Sequence, residues 1–316
     1  MQFIKSGILS TYQDTGRNTY RYLGINPNGA IDLMAVRLLN ILLQNQENEA
    51  AIEIHFPSPE IYFENNTIIA VGGADFNPYL TDKSQNEIEI NNWQCTFVSA
   101  GTTLKFKKRH WGQRAYIAVK GGFPATEWLG SKSTNNLLGF NGISPNHYLS
   151  IPEHTKPAVL PYLGFSMRPP YSASPTIRLI KGNEFDALTA ESKERLEKQE
   201  FTISQHSNRM GYRLVGGALS LENPLELISS AVDFGTIQLL PDGQLIILMA
   251  DHQTTGGYPR LGNVISADLP ILAQCGPKDV LKFQFISQAE AEELLILREK
   301  EIKKLKAGID LVETFR

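Results

Sequence analysis

The sequence predicts a mainly β protein with a few helices, organised as two lobes. Glycine and proline are frequent, with 25 and 17 copies in 316 residues, which suits many short strands joined by turns. Apolar runs of strand length recur along the chain, and six prolines cluster at 152–176, as in a connection between lobes. We therefore divide the chain into a first β lobe at 1–165, a second at 166–286 and a terminal helix at 287–316.

The composition favours a soluble, cytoplasmic protein without nucleic-acid or membrane partners. Hydrophobic residues make up 42% of the chain and charged residues 20%, and the net charge is −3, so no global field attracts phosphate. No apolar run approaches the roughly 18–20 residues of a membrane span, and the N-terminus carries no signal-peptide pattern. Cys95 and Cys275 lack metal-ligand spacing, so we expect two small buried hydrophobes, no disulfide and no metal.

The first lobe is expected to contain one helix and several strands. Asp32 is a suitable N-cap for a helix at residues 33–43, whose apolar residues share one face, and Asn45 is a suitable stop. The strands expected after this helix cover residues 51–54, 60–63, 67–71, 95–98, 103–106 and 114–119. Basic residues at 105–110 are interpreted as a solvated hairpin tip, because no aromatic platform for nucleic acid lies among them.

The second lobe is also expected to contain several strands and a few helices. Strands are expected at residues 177–180, 201–203, 225–228, 236–240, 244–249 and 263–265. A helix is expected at about 188–199, and Asp268 should cap a shorter one. Ser287 and Glu290 form a capping box for a terminal helix that ends at about residue 307. Its thin apolar stripe suits the surface or a partner.

Two short patterns occur in both lobes. Residues 121–124 are similar to 256–259, and residues 100–106 are similar to 276–283. Two lobes built from related β units would explain both similarities. The order of the patterns is reversed in the second lobe, so a simple tandem repeat does not follow, and exchange of chain segments between the lobes is an alternative.

A dense group of polar residues follows the apolar run at 244–249. Its candidate site residues are Asp251, His252, Gln253, Gly256, Gly257 and Tyr258. The first three provide an acceptor, a titratable imidazole and a two-way hydrogen bonder. The two glycines allow positive φ and close approach of a ligand to the main chain. The alternative is an ordinary turn, but loops at strand ends are where sites concentrate.

Two other polar loops supply further candidates. They are Asp14, Arg17, Asn208, Arg209 and Arg213. Arginine offers a planar fork that suits carboxylate or phosphate. The alternatives are a local ion pair between Asp14 and Arg17 and an ordinary polar hairpin around Asn208. A shared site requires these loops to meet the 251–258 loop at a common cavity.

Six motifs occur in order along the chain. They are Gln13-Asp14-x-Gly16-Arg17, Gly29-Ala30-x-Asp32, Arg114-x-Tyr116-Ile117-Ala118-Val119-x-Gly121-Gly122, Leu129-Gly130-Ser131-x-Ser133-Thr134, Asn208-Arg209-Met210-Gly211-Tyr212-Arg213-Leu214 and Asp251-x-Gln253-Thr254-x-Gly256-Gly257-Tyr258-Pro259. Together they resemble the allophanate hydrolase subunit 2 family, also called the KipA-like or biotin-dependent carboxyltransferase family, over about residues 3–286. Asn208 stands where the family usually has Asp, which weakens a role there as a catalytic base.

The resemblance implies two cyclophilin-like β-barrel lobes and a partner of the KipI type. Family members are similar to the carboxyltransferase part of urea carboxylase and urea amidolyase. They are also similar to the C-type subunit of a bacterial 5-oxoprolinase, which opens 5-oxoproline to glutamate with ATP and with two other subunits, one of them the lactam-opening A-type subunit. KipA itself antagonises a histidine-kinase inhibitor, which makes a non-catalytic binder the alternative of a different class.

The chain has neither a biotin-attachment Met-Lys-Met nor a Walker A motif. We therefore expect biotin, if it is used, on another protein, and ATP through the complex. Both candidate reactions build negative charge on the oxygen of an N–C=O group, which preorganised donors stabilise. Arg209, Arg213, Gln253 and the amides of the glycine pair are the expected donors. Asp251 or His252 would move protons, and His has a suitable pKa near neutrality.

Overall fold

The computed structural model describes residues 1–135 and 142–314, which form two compact units. The first unit contains residues 1–16, 32–169 and 300 onwards, and the second contains residues 17–31 and 170–299. Most elements of both units are strands, which confirms the predicted mainly β class. Residues 17–31 are grouped with the second unit although they precede most of the first, which is an exchange of a chain segment. The predicted domain boundaries at residues 165 and 286 do not include this exchange.

Ten strands form the first unit. They are β1 (Gln2–Lys5), β2 (Ser10–Gln13), β3 (Ala51–Ile54), β4 (Glu60–Phe63), β5 (Thr67–Asp75), β6 (Pro78–Thr81), β7 (Glu87–Glu89), β8 (Cys95–Val98), β9 (Thr102–Phe106) and β10 (Trp111–Val119). One sheet has the order β1-β4-β9-β6-β7 and the other has the order β2-β3-β10-β5-β8. Alternate residues of both sheets, including Phe3, Phe63, Leu104 and Ile117, contribute to one buried apolar cluster, as the two-residue period of a strand requires.

Helix α1 (Leu33–Leu43) packs on β5 and β10 of the second sheet. The predicted N-cap is confirmed, because the Asp32 carboxylate accepts a hydrogen bond of 3.0 Å from the Ala35 amide. A buried tyrosine ties this end of the helix to the sheet. The Tyr116 hydroxyl accepts from the Asp32 amide at 2.9 Å and donates to the Glu53 carboxylate at 2.7 Å. Burial raises the pKa of Tyr116 well above its usual range, so the hydroxyl keeps its proton.

The second unit is built on a closed barrel of seven strands. Its elements are β11 (Thr176–Lys181), α2 (Ala190–Lys198), β12 (Phe201–Ile203), β13 (Gly211–Val215), β14 (Ser230–Ala231), β15 (Thr236–Leu239), β16 (Leu245–Leu248), β17 (Thr255–Gly256), β18 (Arg260–Val264), α3 (Leu269–Gln274) and β19 (Val280–Phe285). The barrel order is β11-β18-β15-β16-β13-β12-β19, and the parallel pair β11 and β19 closes it. β14 and β17 pair separately as a short ribbon. Inward residues such as Tyr212, Ile237 and Ile247 fill the barrel.

Two local predictions in the second unit were wrong. Residues 225–228 form no strand, and Leu225 and Ile228 are 41% and 94% exposed, so no neighbouring sheet buries their apolar side chains. Asp268 precedes α3 but its side chain does not cap that helix. Its carboxylate accepts instead from the backbone amide and the guanidinium of Arg178, at 2.8 and 2.5 Å for the shortest contact of each.

The terminal helix α4 (Gln288–Thr314) is longer than predicted and contributes residues to both units. Its capping box is confirmed, because the Ser287 amide donates to the Glu290 carboxylate at 2.8 Å and the Glu290 amide donates to the Ser287 hydroxyl at 3.2 Å. Residues 315–316, the end of the terminal segment assigned as 287–316, lie outside the described residues. Both cysteines are buried and free, as expected. Among the residues described, no helix combines the length and apolar character that crossing a membrane demands.

Substitution of Tyr116 by Phe tests the anchoring of α1. The change leaves the Glu53 carboxylate without this donor in a fully buried position, so we expect the free energy of unfolding to fall by about 1–3 kcal/mol. Urea denaturation measures this loss. Tyr148→Phe is the matched control, because Tyr148 is 58% exposed. Equal stability of the Tyr116→Phe variant and the wild-type protein would contradict the anchoring role.

Candidate functional site

Two candidate loops of the second unit meet at one end of the barrel. β13 and β16 are antiparallel neighbours, with Gly211 opposite Leu248, so the residue before β13 and the residue after β16 face each other. The Met249 amide donates to the Met210 carbonyl at 3.0 Å, and the Asp251 amide donates to the Arg209 carbonyl at 2.9 Å. The strand register therefore brings together the loop around residue 209 and the loop around residue 251, which are about forty positions apart.

Arg209 and Asp251 form a two-point ion pair. The Arg209 Nε donates to Asp251 Oδ2 at 2.8 Å, and Nη2 donates to Oδ1 at 3.0 Å. Their side chains are 13% and 23% exposed. A paired guanidinium and carboxylate of this geometry are stronger than neutral hydrogen bonds and fix both side chains in orientation. The charges of both candidate residues are therefore engaged with each other.

A third segment, which lies within the exchanged residues 17–31, contacts this ion pair. The Asn28 amide donates to Asp251 Oδ1 at 2.7 Å, and the Gly29 carbonyl accepts from Arg209 Nη2 at 2.7 Å. Asn28 and Gly29 have φ values of 56° and 93°, a left-handed turn that Asn and Gly adopt more readily than other residues. Arg17 donates to Asn28 Oδ1 at 3.1 Å from a buried position. We call Arg17, Asn28, Arg209 and Asp251 the arginine–aspartate network.

His252 lies beside this network and is buried. Its Nδ1 contacts the carbonyl of Gln253, and because a carbonyl only accepts, Nδ1 carries the proton and Nε2 holds the lone pair. Burial lowers the pKa of His252 from 6.5, and the nearby Arg21 guanidinium lowers it further, while the Gln253 carbonyl raises it. The imidazole is therefore neutral at pH 7. Proton transfer by His252 or Asp251 stays a prediction.

The rest of the 251–258 loop combines exposed and covered groups. Gln253 is exposed and Tyr258 is 44% exposed, so both side chains can reach a ligand from the solvent side. The expectation of positive φ at Gly256 and Gly257 was wrong, since neither residue adopts it. A Cβ at residue 256 would lie 2.5 Å from Nε2 of Gln238, so any larger residue there would require the Gln238 side chain to move.

Asn208 and Arg213 have separate roles in the fold. The Asn208 side-chain oxygen accepts from the Met210 amide at 2.8 Å, so this side chain shapes its own turn. Asn supports that turn as Asp would. Arg213 lies on β13 with an exposed side chain on the outer face of the barrel. Substrate binding by either residue stays a prediction.

Asp14 and Arg17 belong to different units. Asp14 is buried in the first unit, where its carboxylate accepts from the hydroxyls of Ser131 and Ser133 at 2.7 and 2.5 Å and from the Lys132 amide at 2.6 Å. Arg17 belongs to the second unit and its network. Residues 131–133 therefore position Asp14. Arg17 instead takes part in the arginine–aspartate network through its hydrogen bond to Asn28.

Asn28 is a site residue that the sequence pattern did not predict. A signal for it was present, because Asn28 lies between Pro27 and Gly29 in a polar loop. Its importance depends on a contact with Asp251 that is 223 positions away, which no local pattern shows.

Comparison with known proteins identifies the family of the chain. Residues 23–285 match the family model of the carboxyltransferase domain, subdomain A and B, and the chain belongs to that family. It is 36% identical to the 5-oxoprolinase C subunit of Haemophilus influenzae, over 95% of this chain and 96% of that protein. It is 33% identical to the Escherichia coli protein of the same name, over 92% and 93%. These relatives are subunits of an enzyme that has others.

Longer proteins share the fold. Urea amidolyase of Lachancea kluyveri is 30% identical over 96% of this chain, which spans 18% of that protein. The crystal structure of the K. lactis urea amidolyase matches with a TM-score of 0.86 and 25% identity, over 96% of this chain and 20% of the other. A crystal structure of TTHA0988 matches with a TM-score of 0.77 and 26% identity, over 90% and 56%.

Removal of the Asp251 carboxylate tests the strength of the network. Asp251→Ala takes the acceptor from Arg209 and Asn28, so we expect the free energy of unfolding to fall by about 2 kcal/mol, as for hydrogen bonds to charged groups. Urea denaturation of this variant is compared with Glu226→Ala, which removes an exposed carboxylate of the same unit. A similar small change in both variants would show that the network contributes little.

The pKa of His252 predicts how stability changes with pH. The unfolded chain takes up a proton near pH 6.5, whereas the folded chain takes it up only at lower pH, so stability falls as the pH drops below about 6.5 toward the folded pKa. Urea unfolding at several pH values between about 5 and 7.5 measures this slope. His252→Asn should flatten it, and His206→Asn, which changes an exposed histidine, should not. Equal slopes in both variants would contradict the assignment.

Proposed function

We propose that this chain is the C-type subunit of an ATP-dependent 5-oxoprolinase and acts on the lactam of 5-oxoproline together with other subunits. The observation that carries the proposal is the length of the match. The chain and the two 5-oxoprolinase C subunits correspond over more than nine-tenths of each, whereas the chain spans less than a third of the urea enzymes to which it is similar.

The chemistry of the site is consistent with a lactam substrate. In the proposed reaction water adds to the lactam carbonyl carbon, the C–N bond breaks, the nitrogen takes a proton, and ATP is hydrolysed to ADP and phosphate. Negative charge develops on the carbonyl oxygen, which neutral donors such as the Gln253 carboxamide stabilise when they are already oriented. The neutral His252 can exchange a proton at Nε2, and its depressed pKa keeps that lone pair available at neutral pH.

Asp251 has a positioning role in this proposal. Its two carboxylate oxygens accept from Arg209 and Asn28, so the carboxylate holds the loop that carries His252 and Gln253. A base would need an oxygen directed at the substrate. The proposal therefore assigns proton transfer to His252 rather than to Asp251.

The paired arginines of the second unit do not fit a triphosphate. Phosphate binding requires an available guanidinium or a nest of backbone amides, and the Arg209 charge is already balanced by Asp251. Arg260 and Arg178 are paired in the same way with Glu184 and Asp268. We therefore assign ATP to the complex and derive no step from it in this chain. Biotin, where a relative uses it, would likewise arrive on another protein.

The proposed partner is a KipI-like protein, the B-type subunit of a 5-oxoprolinase, with the lactam-opening A-type subunit as the third component. The names of the two C-type relatives support only the coarser part of this proposal, namely that those proteins act with further subunits. A second candidate function is the carboxyltransferase part of a urea carboxylase. The TM-score of 0.86 with the K. lactis urea amidolyase favours it, because the whole chain matches one part of that enzyme.

Release of glutamate from 5-oxoproline tests the proposal. The purified complex should form glutamate and ADP only when both 5-oxoproline and ATP are present. Gln253→Ala should lower kcat by at least about tenfold, because it removes a donor to the developing oxyanion. Arg209→Ala should lower it by a similar factor, because the loop loses its anchor. Coupled detection of glutamate and ADP measures both.

Gln205→Ala is the matched control for Gln253→Ala, since Gln205 is also exposed on a loop of the second unit. It should retain wild-type turnover. Carboxylation of urea in the presence of a biotinylated carrier, without glutamate release from 5-oxoproline, would favour the second candidate. Wild-type turnover in both Gln253→Ala and Arg209→Ala would show that the site lies elsewhere.

A further inference from the structure

Gln238 lies on the outer face of the barrel beneath the candidate loop. Its strand neighbours Ile237 and Leu239 point into the barrel core, so the side chain of Gln238 points outward. Even so, Gln238 is only 1% exposed. The ribbon of β14 and β17 covers it, and Gly256 of that ribbon lies against its side-chain amide.

The amide nitrogen of Gln238 is buried without a hydrogen-bond partner in the part of the chain that the structure describes. A buried amide of this kind destabilises the fold, and buried polar groups are almost always paired. A methionine or leucine on this strand would fill the same space without the cost. The unpaired donor therefore requires an explanation outside the packing of the barrel.

The absence of a side chain at Gly256 allows the ribbon to lie against Gln238. A Cβ at Gly256 would lie 2.5 Å from Gln238 Nε2 and 3.4 Å from a Val232 methyl group. The glycine lets the ribbon lie directly over the amide, so the donor and the candidate loop are in contact. The loop that carries His252 and Gln253 therefore rests, at Gly256, on an unsatisfied donor.

We propose that Gln238 is a further substrate-positioning residue, whose Nε2 donates a hydrogen bond to an oxygen of the substrate amide when the ribbon of β14 and β17 moves aside. The ribbon pairs through two residues in each strand, Ser230 with Gly256 and Ala231 with Thr255. Beyond these pairs the Val232 amide donates to the Thr254 carbonyl at 3.2 Å and Arg260 donates to the Ser230 hydroxyl at 2.9 Å, so opening breaks a small set of hydrogen bonds at the barrel surface. Opening removes the cover, and the substrate oxygen then satisfies the donor that the closed form leaves unpaired.

The neighbourhood of Gln238 indicates which substrates it would receive. Register pairs Gln238 with Ile246, and Ile246 with Arg213, so all three side chains share the outer face. Arg213 is exposed and lies about 10 Å from Gln238, at two strand spacings. A small amide that carries a carboxylate matches an amide donor and a guanidinium at this spacing. The inference rests on the proposed function, for which 5-oxoproline is such a molecule.

Gln238→Met tests the inference, because methionine fills similar volume and removes the unpaired donor. In the purified complex we expect kcat/KM for 5-oxoproline to fall by at least about tenfold. We expect the melting temperature of the variant to stay the same or rise, because a buried unsatisfied group has been removed. A residue that served only the fold would not combine lower activity with equal or higher stability.

Gln284→Met is the matched control. Gln284 is exposed on the outer face of the same barrel, on β19, and its change should alter neither activity nor melting temperature. Full activity of Gln238→Met in an active complex overturns the inference and leaves the proposed function standing. A parallel loss of activity and melting temperature also overturns it, because that result indicates a structural role.

Failure of the proposed function gives a different result, namely a wild-type complex that releases no glutamate. The inference is then decided by the shift in melting temperature that 5-oxoproline produces. A shift in the wild-type protein that is absent in Gln238→Met and present in Gln284→Met supports the binding role. Absence of any shift in the wild-type protein overturns it.

Discussion

The bidentate ion pair between Arg209 and Asp251 is the contact on which the candidate site depends. It joins Arg209, which lies just before β13, to Asp251, which lies in the loop after β16, and Asn28 and Gly29 attach the exchanged segment to the same two side chains. Three stretches of chain that are far apart in sequence therefore share one set of charge-assisted hydrogen bonds. The desolvation of both charges is offset only because each has several partners. Loss of one member leaves the others without compensation.

This pairing changes the chemistry that the loop can perform. A carboxylate and a guanidinium that neutralise each other no longer act as a general base and a phosphate clamp. The other polar groups of the loop are the neutral, buried imidazole of His252, the exposed carboxamide of Gln253 and the partly exposed Tyr258. Neutral donors that are already oriented are well suited to a carbonyl oxygen whose charge grows during reaction. Charged substrate groups find fewer available partners here than the count of arginines in the sequence implies.

Local sequence signals predicted the parts of the fold that depend on local physics. The cap at Asp32 and the capping box at Ser287 follow from hydrogen bonds within a few residues, and both are present. The strand predicted at 225–228 failed because apolar composition alone does not supply a neighbouring strand. The grouping of residues 17–31 with the second unit depends on the contacts of Asn28, which only the folded chain shows. Arg209 and Asp251 are close because of the register in which β13 pairs with β16. The hydrophobic periodicity of the sequence predicts strands but not the register between two of them.

The glycines of the candidate loop show how a correct residue can be predicted for a wrong reason. Backbone freedom was the expected reason for Gly256, yet its φ is not positive, and the feature that the structure shows there is close contact with the side-chain amide of Gln238. A strand residue on an outer barrel face is normally free to be polar, since water satisfies it. At Gln238 the ribbon excludes water, so polarity there costs stability. A methionine at this position would avoid that loss of stability. Residues that reduce the stability of the fold while serving the binding of a ligand are typical of functional sites.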